Sequence, residues 1–178
     1  MPPIKEKKDQ PTWLEHGLPD LRGAGPELRS ATLEEVAAGV DITTAMEIVA
    51  QHLGFIDPAI QSMTLETPVE SVTVHRKDLY HIVEKRAEAR ERYVRFALDT
   101  LAGPLEVWKV EYDNDVFRLA FIGSYEGKRQ MLVVVNVEGG QRLWNFMHTD
   151  AKALNKHRHG QLLYKRYDFI EGKEKGQS

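Results

Sequence analysis

The second half of the chain alternates between hydrophobic and polar positions with the period of β-strands. Four such segments are separated by short turns that contain Asp, Asn or Gly. Because short turns join neighbouring antiparallel strands, the pattern predicts a four-stranded antiparallel meander. The predicted strands span residues 105–112, 116–125, 129–138 and 141–148.

Upstream of the meander, hydrophobic residues recur with helical spacing. A long helix is predicted over residues 78–101, with Asp78 as its N-cap. It ends before Pro104, which cannot continue a helix. Two shorter helices are predicted before it, the first beginning at a Thr32 capping box and the second ending near Leu53.

These elements predict an α+β fold in which N-terminal helices and the long helix pack on the four-stranded meander. Residues 1–30 are rich in Pro, Gly and charge and are predicted to form an extended arm. A helical segment, 31–65, follows. The main domain spans residues 66–167 and opens with a short strand at 69–75, and residues 168–178 are predicted to be a flexible tail.

Composition limits the classes of protein to be considered. The 178 residues suit one domain, and the net charge of −3 excludes a uniformly basic coat for nucleic acid. The chain has no cysteine, which excludes disulfides and thiolate zinc sites. No apolar run approaches the roughly 18 residues of a membrane span, and the N-terminus lacks the apolar core of a secretory signal, so no membrane association is predicted.

Two arginines interrupt the apolar side of the predicted long helix. On a helical wheel, Arg86 and Arg90 fall among the residues that should face the core. An unpaired guanidinium in a dry core costs several kcal/mol. Three explanations stay open: pairing with a carboxylate or backbone carbonyls, a rotated helix with the arginines at its rim, or a groove that binds an anion.

The sheet carries two further polar residues among apolar neighbours, namely Arg118 in the second strand and Asn145 in the fourth. If both point toward the long helix, they converge with Arg86 and Arg90. Guanidinium groups bind phosphate with paired hydrogen bonds, so such a convergence predicts a site for a phosphate-sized anion.

Four histidines are candidates for acid or base chemistry near neutral pH, because the pKa of imidazole lies close to that range. They are His81, His148, His157 and His159. The last two lie in a stretch, Ala151–Tyr167, that has five cationic residues and no Asp or Glu. Zinc-ligand spacings, phosphate-binding glycine loops and the nucleophile-elbow motif are absent from the sequence, and no metal site is predicted.

Several short motifs, in this order, resemble a phage-encoded branch of the barnase, EndoU, colicin and RelE-like (BECR) nuclease superfamily, found in polyvalent and head-morphogenesis proteins of phages. They are "HIVEKR", "EARERY", "TLAGPLEVW", the arginine of the second strand, the "WN" of the fourth, and the R-x-G-x-L-L-Y pattern of Arg158–Tyr164. The similarity covers about residues 66–166.

The resemblance implies a metal-independent ribonuclease that uses no cofactor. In that reaction the 2′-hydroxyl of RNA attacks the adjacent phosphodiester, with acid, base and cationic groups assisting. The catalytic residues that it implies are His81, Arg86, Arg90, Arg118, Asn145 and Arg158. Four further residues are second choices, as substrate contacts: Lys85, His148, His159 and Tyr164.

Two functions stay open beside the ribonuclease. The leading hypothesis is an RNase-like domain that acts on RNA in the bacterial host cytoplasm, with delivery in the virion as one route, and the first alternative is a non-catalytic virion component of the same fold. In the second case, residues 1–30 would dock on a portal, capsid or tail partner through Trp13 and Leu14. A weaker alternative is a phosphate or nucleotide transferase that uses the same arginines.

Overall fold

The fold was obtained as a computed structural model, which describes residues 5–127, 130–138 and 141–167. The predicted flexible tail, 168–178, and the Gly139–Gly140 turn lie outside the described residues. The helices are α1 (Ile42–Leu53), α2 (Leu79–Val83), α3 (Val94–Ala102) and α4 (Ala151–Asn155). The strands are β1 (Ser62–Glu66), β2 (Ser71–His75), β3 (Glu106–Glu111), β4 (Phe117–Gly123), β5 (Gln130–Glu138), β6 (Gln141–Thr149) and β7 (Gln161–Lys165).

The main sheet has five antiparallel strands in the order β6-β5-β4-β3-β7. Its first four members are the four predicted strands, and the α+β class is confirmed. The four-stranded description is wrong in one respect, because β7 pairs with β3 and adds a fifth strand. β7 was not predicted, because it is distant from β3 in sequence and no short turn joins the two strands.

The two faces of this sheet are covered by different parts of the chain. The helix face carries Val107, Phe121 and Val133, which belong to one hydrophobic core with residues of α1, α2, α3 and the small β1-β2 sheet. The arm face carries Trp108 and Ile122, which pack against the N-terminal arm and α4. Since side chains alternate along a strand, each strand residue belongs to one face.

The predicted long helix is broken into two. α2 ends at Val83, a 3-10 turn follows at Arg90–Tyr93, and α3 then runs to Ala102. Ala89 lies between them with φ 42°, in the left-handed region that an uninterrupted helix excludes. The break turns the Glu91 side chain into the interior, where it pairs with Arg86, whereas a continuous helix would place Glu91 on the polar side.

The segment before α1 also differs from its prediction. No helix begins at Thr32, because the backbone of this segment bonds to the 3-10 turn: Val36 N–H donates to the Arg92 carbonyl, and Gly39 N–H donates to Glu91. α1 itself is confirmed, with Asp41 as its N-cap. The predicted connector before β2 is in part a strand, β1, paired with β2.

The described part of the N-terminal arm, residues 5–30, lies on the main sheet of its own chain. Trp13 N–H donates to the Arg158 carbonyl at 2.8 Å, and Leu18, Leu21 and Leu28 are buried in the core of the arm face. Nonpolar burial of this kind removes three leucines from water at a gain of roughly 1.5–3 kcal/mol each. None of the helices in the described part of the chain is long and apolar enough to cross a membrane.

Candidate functional site

The structure divides the predicted site residues between the two sides of the main sheet. The helix side carries His81, Lys85, Arg86, Arg90, His148 and Tyr164. The arm face carries Arg118, Asn145, Arg158 and His159. The predicted convergence of the two helix arginines with the two strand residues is therefore wrong, because the sheet separates them.

Arg86 is held by protein groups on the helix side. Its terminal nitrogens donate to both carboxylate oxygens of Glu91, at 2.8 and 2.6 Å, and to the carbonyls of Val83 and Gly39. The Glu91 side chain has 0% exposure. Burial raises the pKa of Glu91, but the bonds from Arg86 and the Gly39 N–H outweigh it and lower that pKa overall. Arg86 is thus paired with a carboxylate and with backbone carbonyls, which was one of the three explanations that the sequence left open.

Replacing Arg86 with Ala is expected to lower the free energy of unfolding by about 2 kcal/mol at neutral pH, since a buried carboxylate loses its charged donor. The pKa of Glu91 is lower in the folded state than in the unfolded chain. The ionised Glu91 therefore stabilises the fold fully above the ordinary carboxyl pKa, and this stabilisation is lost as the pH falls through the folded-state pKa. The difference between parent and variant in urea titrations should therefore shrink below about pH 4. A difference that stays constant down to that pH would contradict this assignment.

Arg90, in the 3-10 turn, and His148, in β6, both lie on the helix side of the main sheet. The Arg90 side chain is only 9% exposed, with one terminal nitrogen 3.0 Å from Glu88, and its buried Nε has no acceptor among the described residues. The ring of His148 lies 4.3 Å from that of Tyr93, in the same 3-10 turn. This pair stays a secondary candidate for an anion contact.

The remaining helix-side residues are peripheral or structural. His81 is exposed at α2, 3.4 Å from Glu84, and Lys85 is exposed in the following loop. Tyr164 packs against the helix-face core. Their predicted roles in catalysis or binding stay predictions.

Arg158 is fully buried at 0% exposure beneath the arm. Its guanidinium donates to both oxygens of Glu106 at 2.6 Å and to Pro19 and Asn155 at 2.9 Å. The indole of Trp13 lies over it at 5.2 Å. With its donors used and its surface covered, Arg158 has nothing to offer an RNA backbone in this conformation, and the structure gives it a structural role.

The Glu106 carboxylate is the centre of this buried network. Besides Arg158, it accepts hydrogen bonds from the Trp108 indole at 2.9 Å and from the Tyr167 hydroxyl. Burial, with the neighbouring Glu106 charge, raises the pKa of Tyr167 well above its usual range. Four donors on one carboxylate satisfy its lone pairs, as a buried charge requires.

Arg118 has a different environment on the arm face. Leu119 and Phe121 belong to the helix-face core and Ala120 to the arm-face core, so Arg118 projects from the arm face. Its guanidinium lies 5.6 Å from the ring centre of Tyr112. The Nε of Arg118 is buried and has no acceptor in the described part of the chain. A guanidinium with an unused donor is suited to bind an anion.

Arg118 acts electrostatically on His157, and the charges of a second histidine and a glutamate act on the same imidazole. Burial lowers the pKa of His157 to about 4, and the charges of Arg118, His159 and Lys156 add to this effect, while Glu6 opposes it. The ring of His159 is hydrogen-bonded to the Glu6 carboxylate. His157 is therefore neutral at physiological pH and able to accept a proton.

We call this group the cationic cluster, and it consists of Glu6, Tyr112, Arg118, His157 and His159. Tyr112 belongs to it electrostatically as well: burial raises its pKa, Arg118 opposes that rise and Glu6 adds to it. Asn145 lies on the same face two strands away, level with Ala120, at about 12 Å between its Cα and that of Arg118. The Asn145 side chain accepts a hydrogen bond from the Phe146 N–H.

His157 was an acid or base candidate but not a predicted site residue, and neither Glu6 nor Tyr112 was predicted to belong to the site. The sequence contained one indication. In "HRH", two histidines flank a central arginine, and if that arginine is buried the histidines lie in different surroundings from it. No group of three or more His, Asp or Glu side chains in the described residues is arranged to hold a metal ion.

Comparison with known proteins gives one family. Searches of curated proteins and of solved structures found no match. Residues 51–165 match the family described as phage-Barnase-EndoU-ColicinE5/D-RelE like nuclease2. The match confirms the resemblance seen over residues 66–166 and extends it through the end of α1. Since it covers more than half of the 178 residues, the chain belongs to this family of phage nuclease-like proteins.

Proposed function

We propose that the chain is a metal-independent ribonuclease and that the cationic cluster is its reaction site. The observation that carries the proposal is that Arg118, whose buried Nε has no acceptor in the described part of the chain, acts electrostatically on His157, an imidazole that burial keeps neutral at physiological pH. Cleavage of RNA through its own 2′-hydroxyl needs a proton acceptor and a cation at the phosphate. Family membership supports a nuclease, and RNA as the substrate is part of the proposal.

In the proposed reaction, His157 accepts the proton of the 2′-hydroxyl while the 2′-oxygen forms a bond to phosphorus. The bond from phosphorus to the 5′-oxygen breaks, and His159 donates a proton to that leaving oxygen. The products are a 2′,3′-cyclic phosphate and a 5′-hydroxyl. Arg118 stabilises the extra negative charge that the phosphate oxygens carry in the transition state.

Substrate binding would also strengthen the base. A phosphate next to His157 adds negative charge, which favours the imidazolium form and raises the pKa of His157 from about 4. In this proposal Asn145, on the same face, contacts a more distant part of the RNA, and Tyr112 offers a ring on which a base can stack.

The alternative in which the arm docks on a virion partner loses one of its two anchors. Trp13 is engaged with Arg158 on its own sheet. Leu14 is 69% exposed, and a single exposed leucine is common on monomeric proteins. Action on RNA in the host cytoplasm is therefore the function that we favour.

The test is to incubate the full chain with an RNA oligonucleotide in EDTA, beside a DNA oligonucleotide of the same sequence. We expect cleavage of the RNA alone, with a 2′,3′-cyclic phosphate end. Arg118→Ala should slow cleavage by roughly 10²-fold, the effect of losing one transition-state donor.

Arg95→Ala is the matched control, because it removes the same charge from an exposed position on α3 and should leave the rate unchanged. Absence of cleavage by the folded parent would overturn the proposal. Cleavage that survives Arg118→Ala but is lost in Arg90→Ala or His148→Ala would place the site on the helix side.

A further inference from the structure

The first described residues of the arm close an edge of the sheet next to the cationic cluster. Strand β7 pairs with β3 only as far as Lys109, which leaves the end of β3 without a neighbour from β7. Residues 5–10, which we call the strap, take that place. Glu6 forms a β-bridge with Tyr112, Lys7 N–H donates to the Glu111 carbonyl at 3.0 Å, and Gln10 binds the Glu111 backbone.

The pairing places the Glu6 carboxylate inside the cationic cluster. It bonds to the ring of His159, and its charge acts on both His157 and Tyr112, the two groups on which Arg118 also acts. One anion of the protein thus lies among the groups that would receive the anion of a substrate.

The strap is held more weakly than the rest of the arm. Residues 5–9 are exposed, and none of the described strap residues enters the hydrophobic core, whereas Leu18, Leu21 and Leu28 anchor the chain that follows. Backbone bonds at an exposed edge, without apolar burial, open at low cost in free energy. The strap can therefore leave the cluster while the remaining arm stays on the sheet.

We propose that Glu6 is an intramolecular competitor for the substrate phosphate, so that the strap in its closed position inhibits the cationic cluster and must open for a polyanion to bind. The inference rests on the proposed function for its biological meaning, but the competition itself concerns binding and is testable without cleavage. A phosphate that displaces Glu6 takes over its contact with His159 and meets Arg118 in addition. Because both anions need one set of cations, binding and closure exclude each other.

The experiment measures binding of a 2′-O-methyl RNA oligonucleotide, which lacks the attacking hydroxyl, to the full chain at fixed ionic strength. Glu6→Gln keeps the size of the side chain and removes its charge. We expect it to tighten binding by at least roughly fivefold, the lower end of ordinary coupling between two sites.

Asp9→Asn is the matched control, since it removes the same charge from the same strap, and Asn tolerates the φ of 63° at this position. It should change affinity less than twofold. In an Arg118→Ala background, Glu6→Gln should give a much smaller gain, because the phosphate then lacks its main cation. Melting curves confirm that each variant is folded.

Equal affinities for Glu6→Gln and Asp9→Asn would overturn the proposal, and so would weaker binding by Glu6→Gln, which would make Glu6 a supporting residue of the site. Cleavage assays separate this result from the proposed function. If Glu6→Gln binds more tightly but neither chain cleaves RNA, the competition stands and the ribonuclease proposal fails.

Discussion

Arg158→Ala is expected to lower the free energy of unfolding by about 3–5 kcal/mol, because it leaves the carboxylate of Glu106 buried without its cationic partner. Glu106 has 0% exposure, so water cannot replace the lost donors without opening the arm face. Trp108 and Tyr167 still donate to it, but neither carries a positive charge. The prediction is checked by urea denaturation of parent and variant, followed by tryptophan fluorescence.

Two further variants show whether the uncompensated charge is the cause. Arg22→Ala breaks an exposed ion pair with Asp20 and should change stability far less, as surface pairs usually do. Replacing both Arg158 and Glu106 with Met should recover part of the loss, because a buried ion pair can often be exchanged for apolar residues. A double variant that is no more stable than Arg158→Ala would contradict this explanation.

The second large effect concerns catalysis: His157→Ala should lower kcat/KM for RNA cleavage by roughly 10²–10⁴-fold, the usual contribution of a general base. In the parent, kcat/KM should fall as the pH drops through about 4, because the imidazole is then protonated and cannot accept a proton. The corresponding fall in kcat should lie at higher pH, since bound phosphate raises the pKa of His157. The acidic limb should be absent from the variant.

Folding must be followed at each pH. The folded pKa of His157 is depressed from 6.5 to about 4, so the unfolded chain binds a proton first and stability falls as the pH drops through that window. His81→Ala provides the matched control, because this exposed histidine lies on α2, on the helix side of the sheet. A rate unchanged in His157→Ala, or lost equally in His81→Ala, would exclude His157 as the base.

The sheet was predictable because each strand carries its own alternation and short turns join neighbours. β3, β4, β5 and β6 follow from residues that are adjacent in sequence. β7 did not follow, since it pairs with β3 from more than 50 residues away and has no hairpin to mark it. The helical spacing of hydrophobic residues was predicted correctly within α2 and within α3. The left-handed turn at Ala89 that separates them is set by tertiary contacts.

The candidate site was harder to predict, because an isolated arginine among apolar residues looks the same whether it is paired or free. Arg86 and Arg158 each have a buried carboxylate partner, Glu91 and Glu106, whereas Arg118 has an unused donor. Glu106, at the start of a hydrophobic strand, needs a cationic partner if it is buried, but the sequence does not say which residue supplies it. The partner of each arginine depends on the fold, which the spacing alone does not give.

The placement of the arm separates the region that sequence similarity detects from the unit that must fold together. The family match begins at residue 51, yet Trp108 and Ile122 are covered by leucines of the arm that precede that point. A chain cut to the matched region would carry an uncovered hydrophobic sheet face, a recognised cause of aggregation. For this protein, the region of sequence similarity and the unit that stays soluble on its own have different boundaries. Any fusion or transplant of the domain has to include the arm that covers this sheet face.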